Sequence, residues 1–168
     1  MDDLQRLLRV DSSSVLDFFV TNLRDEVSGA EVPKDETNYI ARVLSNHALA
    51  TFNSTSDLPV PSTLSELLLR FHGETGDVRD FETMEVCGQH CFLLCGFYRD
   101  YTVLRRDIEL YDRLGQSFYS RASRLSTKSD RQELFRRLVI SFTDWAIICC
   151  NVRRRLDRNQ FLFGSLPS

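Results

Sequence analysis

The sequence is poor in histidine, glycine and lysine, and each shortage excludes something. Its three histidines, His47, His72 and His90, form no Glu-x-x-His and no H-E-x-x-H. A carboxylate-bridged di-metal site in a bundle and a zinc hydrolase site are therefore not expected. Seven glycines, mostly where helices should end, leave no G-x-G-x-x-G or Walker loop to cradle phosphate. The nucleophile elbow G-x-S-x-G is missing too. No residue stands out as a catalyst, no cofactor is implied, and the expectation is a non-enzymatic protein. Only Lys34 and Lys128 are lysines among 21 basic residues. The arginine excess suits bidentate pairing with carboxylates or phosphates, although gene base composition is its larger cause. Long apolar runs are also absent. The best candidate, 138–152, is interrupted by Ser141, Asp144 and Asn151, so no membrane span is expected. The opening residues Met1 to Arg6 lack the basic start and apolar stretch of a signal peptide.

What the sequence does contain is core material: 42% apolar residues, with twelve Phe, five Tyr and one Trp in 168 positions. That length favours one domain over 1–168, able to bury a core without disulfide or metal. The five cysteines, Cys87, Cys91, Cys95, Cys149 and Cys150, are odd in number and lie in apolar segments. They read as reduced, buried thiols in the cytoplasm. The net charge of −3 conceals an asymmetry: residues 1–98 carry 7 basic and 16 acidic side chains, residues 99–168 carry 14 and 8. Packing between the halves, or on a second subunit, explains this more simply than a nucleic-acid surface does.

Apolar residues recur with helical period nearly throughout. Short helices are expected at Leu4–Leu8 and Leu67–Phe71, the latter behind the capping-box spacing Thr63 to Glu66. Leu16, Phe19, Val20, Leu23 and Val27 form one face of a helix that Gly29 stops. Pro33 and Asp35 open the next, through Tyr39, Ile40, Val43, Leu44 and His47. Residues 53–61, with Pro59 and Pro61, read as a loop. Further helices are expected over about 78–98, about 102–125, and from Ser129 (in capping-box spacing with Gln132) to about 158. The fold expected is all-α, a single bundle of six or seven helices.

Two of these helices are unusual. On a wheel of the 83–99 segment, Val86, Cys87, His90, Cys91, Leu93, Leu94, Cys95, Phe97 and Tyr98 span an arc of about 200°. Gly88 and Gly96 fall outside it with Glu85 and Gln89, and would let a neighbouring backbone approach. In the last helix, Leu134, Leu138, Phe142, Trp145, Cys149, Val152 and Leu156 make a narrow stripe, flanked by Phe135, Val139, Ala146 and Cys150. Ile140 and Ile147 lie nearly opposite. A helix apolar on two faces is buried twice or meets a second subunit, and a homodimer through Ile140 and Ile147 is the expectation.

Cys87, His90 and Cys91 are the candidate metal ligands, since thiols and imidazole suit zinc or copper(I). Spacing argues against them. Residues i and i+8 of a helix are about 12 Å apart, so Cys87 and Cys95 cannot share an ion, and no fourth ligand is evident. Small apolar packing residues are the simpler explanation. The Arg153-Arg154-Arg155 run with Arg158 suits a helix C-terminus. Successive residues also point in different directions, which argues against a single patch.

The stretch Cys91-Phe92-Leu93-Leu94-Cys95-Gly96-Phe97-Tyr98, followed by Asp107-Ile108-Glu109-Leu110-Tyr111-Asp112-Arg113-Leu114-Gly115-Gln116-Ser117-Phe118-Tyr119, resembles a family of uncharacterised bacterial all-helical proteins. Their pattern runs L-F-L-S-G-F-F, then V-D-Y-Y-x-x-L-G-x-x-A-Y. The likeness covers about residues 85–122. It implies a helical fold in a bacterial cytoplasm and assigns no functional residue; Cys95 stands where the pattern has Ser. Three function classes follow, in order: a helical protein-interaction module, a thiol or metal site at Cys87, His90 and Cys91, and nucleic-acid binding by the Arg-rich half.

Overall fold

The computed structural model describes residues 12–53, 80–101 and 106–163, and these contain five α-helices and no strand. They are α1 (Ser12–Glu26), α2 (Lys34–Asn53), α3 (Phe81–Cys95), α4 (Ile108–Leu125) and α5 (Ser129–Phe163). The helices expected at Leu4–Leu8 and Leu67–Phe71 lie outside the described residues. The chain divides into two compact units, Met1–Pro59 and Val60–Ser168.

In the first unit α1 packs on α2. Val15, Phe19 and Leu23 are buried on α1, and Ile40, Ala41, Val43 and Leu44 on α2. The buried row on α1 includes Val15 rather than Leu16, which is half-buried like Val20 and Val27. The turn after α1 passes through Gly29 at φ +97°, which favours a residue without a Cβ. Asp35 and Glu36 occupy the first turn of α2, where the helix dipole favours negative charge.

The second unit is an up–down–up arrangement of α3, α4 and α5. Asp112 meets Thr143 and Ser123 meets Gln132, so α4 and α5 run antiparallel across the short link at Ser126–Lys128. Gly88 lies against Tyr119 and Cys91 against Gly115, so α3 and α4 also oppose each other. A chain of rings fills the centre: Phe92 to Phe142 at 5.5 Å, Phe142 to Tyr119 at 5.7 Å and Phe135 to Phe81 at 5.5 Å meet edge to face, and Tyr119 to Phe135 at 5.3 Å is tilted. Such pairs add about 0.5–1.5 kcal/mol each beyond area burial.

The core-facing side of α3 is rotated from its expected position. Val86 is 49% exposed, while Gly88 is buried because the ring of Tyr119 occupies the space a side chain would need. Gly96 approaches the α5 backbone as expected: a Cβ there would sit 3.0 Å from the Ala146 carbonyl oxygen. α3 stops at Cys95 instead of continuing to Tyr98. Beyond it the Tyr98 amide donates to the Leu93 carbonyl and the helical ladder is broken. At its other end Asp80 caps the helix, accepting from the Thr83 amide at 2.6 Å.

α4 begins at Ile108, after a turn at Arg106 and Asp107; residues 102–105, where the helix is expected to start, lie outside the described residues. At the start of α5 the capping is not the Ser129–Gln132 box. The Gln132 side chain reaches back to the Ser126 carbonyl, and the Ser126 hydroxyl accepts from the Lys128 amide. Of the expected stripe on α5, Leu138, Phe142, Trp145, Cys149 and Val152 are buried while Leu134 and Leu156 are half-buried; the buried face is turned toward the flank, where Phe135, Ala146 and Cys150 are buried and Val139 is half-buried.

Candidate functional site

Three features of the second unit carry reactive or exposed side chains: the thiols, the arginine end of α5 and the outer face of α5. All five cysteines are buried and unpaired by disulfide. Cys87, Cys91 and Cys95 ascend the core side of α3, and the Cys95 thiol donates to the Ile108 carbonyl at 3.5 Å. Burial pushes the Cys87 thiol up to about 11, with the Asp80 carboxylate adding to the rise. Burial likewise lifts Cys91 to about 12, Cys87 contributing. Cys95, Cys149 and Cys150 move in the same direction, each chiefly through burial. A thiol held neutral is neither a nucleophile nor a metal ligand.

The proposed ligand trio does not converge. Cys87 and Cys91 face the core, whereas His90 lies around the helix, only half-buried. Among the described residues no group of three or more His, Cys, Asp or Glu is placed to hold a metal ion. Native protein at pH 7.5 should therefore leave all five thiols unmodified by a chromogenic disulfide reagent over minutes, with all five reacting after denaturation. Rapid modification of any one in the native protein would contradict this burial.

The arginine end of α5 is largely committed to internal partners. Arg154 grips Asp100 through two bonds of 2.6 and 2.7 Å, and the Cys150 thiol lies 3.8 Å from the same carboxylate. Arg153 bonds Asp157 at 3.0 Å and stacks over the Phe97 ring at 4.7 Å. These contacts tie α5 to the turn after α3. Sequence reasoning missed Asp100, which lies 54 positions from Arg154 and in no recognisable pattern with it. It also missed a cleft of about 350 Å³ where the start of α3 meets the α4–α5 link, lined by Asp80, Phe81, Glu82, Lys128 and Arg131. There Arg131 bonds Glu85 at 3.0 Å and covers the Phe81 ring.

The outer face of α5 is the third feature. Ile140 is 81% exposed and Ile147 43% exposed, one heptad apart. Glu133, Arg136, Thr143, Asp144 and Arg154 surround them, all exposed. No helix among the described residues is long and apolar enough to cross a membrane. Comparison with protein-family models, curated proteins and solved structures finds no match to the chain.

Proposed function

We propose that the protein is a non-enzymatic helical interaction module that self-associates through the outer face of α5. The observation that carries this reading is the exposure of Ile140 and Ile147 on a helix whose opposite face is fully engaged. Burying one such side chain contributes about 1.5–3 kcal/mol. Four of them in a symmetric pair supply at most about 6–12 kcal/mol, against an association cost of about 4–15 kcal/mol. The balance describes a dimer that dissociates on dilution, not an obligate one. Five reduced, buried thiols support a reducing, cytoplasmic setting within the same proposal. The kinship with bacterial helical proteins belongs to it as well.

Sedimentation equilibrium over a wide concentration range tests the reading. Wild-type protein should shift from monomer to dimer as concentration rises. Ile140→Asp should stay monomeric with an unchanged circular-dichroism melt, because position 140 is solvent-exposed. A wild-type chain that is monomeric at every concentration overturns the proposal. The thiol or metal reading has less support, given the neutral thiols. The nucleic-acid reading also has less, because Arg153 and Arg154 are engaged internally.

A further inference from the structure

Glu133, Ile140, Ile147 and Arg154 follow one another at intervals of seven residues on α5. Seven residues fall about 20° short of two full turns, so the four form one narrow stripe on the exposed face. Their order is acid, isoleucine, isoleucine, base. That order is complementary to its own reversal about the point between Thr143 and Asp144. We infer that the occupant of this face is a second copy of the chain, docked α5 against α5 in antiparallel orientation about a two-fold axis at that point. The inference rests on the self-association proposed above and adds the partner's direction and register.

In this arrangement Ile140 of each copy meets Ile147 of the other, and Glu133 meets Arg154, which bonds Asp100 through Nε and Nη2 and keeps its Nη1 and half of its side-chain surface for a second carboxylate. Asp130, one turn before Glu133, is level with Asp157; both are exposed, and Asp157 is paired with Arg153 on its own helix at 3.0 Å. Arg136 and Arg137, which pair with Glu133 on their own helix at 3.2 and 3.8 Å, fall level with the uncharged Asn151 and Cys150. A parallel pairing would instead set each residue against itself, Glu133 on Glu133 and Arg154 on Arg154, and like charges repel. α5 is 35 residues long, about 52 Å at the helical rise, so the 22-residue overlap from Glu133 to Arg154 fits within it. An isologous contact of this kind closes on itself and stops at two copies.

Cross-linking with a short bis-maleimide tests the orientation, with wild-type protein as the control for native thiols. Ile140→Cys mixed with Ile147→Cys should give cross-linked dimer well above either variant alone, because antiparallel copies place 140 beside 147 and hold the two 140 positions about 10 Å apart along the axis. Glu133→Arg should weaken dimerisation about fivefold or more. A dimer that cross-links preferentially within Ile140→Cys alone, or that ignores the Glu133→Arg change, overturns the antiparallel register and leaves self-association standing. A protein monomeric by sedimentation overturns the self-association itself.

Discussion

Gly115→Ala is expected to destabilise the protein by about 1–3 kcal/mol, although alanine ordinarily favours a helix interior over glycine by about 1 kcal/mol. Gly115 sits midway along α4, where a Cβ would run into the tip of the Phe142 ring and come within 3.1 Å of the Cys91 Cβ. Neither neighbour can yield freely. Phe142 is held edge-on by Phe92 and Tyr119, and Cys91 is part of the α3 backbone wall. The clash with Phe142 involves only the far end of its ring. Phe142→Leu removes those atoms while losing ring contacts, so it costs stability by itself. In the Phe142→Leu background the alanine at 115 should cost less than it does in the wild type, with the 3.1 Å approach to the Cys91 Cβ remaining. Urea denaturation of the four proteins measures the coupling, expected to exceed about 1 kcal/mol for residues in direct contact. Additive effects of the two substitutions would show that the ring does not fill the space above Gly115.

The second large effect is a loss of stability in alkali. An unburied thiol ionises near 9.0, whereas Cys87 and Cys91 in the fold hold their protons until about 11 and 12. Below pH 9 both states are protonated and the thiols make stability independent of pH. Above it the unfolded chain releases protons that the native state retains. Unfolding is then favoured as pH rises, by roughly 1.4 kcal/mol per pH unit for each thiol that ionises only when unfolded. The decline continues until the folded thiols titrate in turn. With Cys95, Cys149 and Cys150 shifted in the same direction, stability between pH 9 and 11 should fall steeply. Denaturant titrations at half-unit intervals give the slope. Cys91→Ala should reduce it by about one proton's share, and an unchanged slope in that variant would contradict the assignment.

Most of the helical plan was legible from periodicity, because a buried stripe on a helix leaves a mark every three or four residues. Leu138, Phe142, Trp145 and Cys149 follow that rule and are all buried. The rotation of α3 was not legible. Glycine carries no apolar signal, so Gly88 counted as an outward position, yet it is buried because Tyr119 needs the space. Val86 counted as inward and is exposed. The start of α5 misled for another reason: Ser126, Ser129 and Gln132 offer competing caps, and only the geometry of the link selects Ser126. At the candidate sites, the exposure of Ile140 and Ile147 follows from the wheel. The Asp100–Arg154 pair and the separation of His90 from Cys87 and Cys91 depend on tertiary placement that no local pattern records.

The five buried thiols also govern whether unfolding can be undone. Inside the fold they are shielded from oxidants, so the native protein needs no repair. Any excursion that opens α3 or the middle of α5 exposes them to a medium in which thiolates form disulfides or climb to sulfenic and higher acids. Cys91 and Cys149 are fully buried in tightly packed positions, and neither an oxygen-bearing sulfur nor a new cross-link fits there. Opening in an oxidising environment is then a one-way step, and the lifetime of the folded molecule is set by how often it opens rather than by the depth of its free-energy minimum.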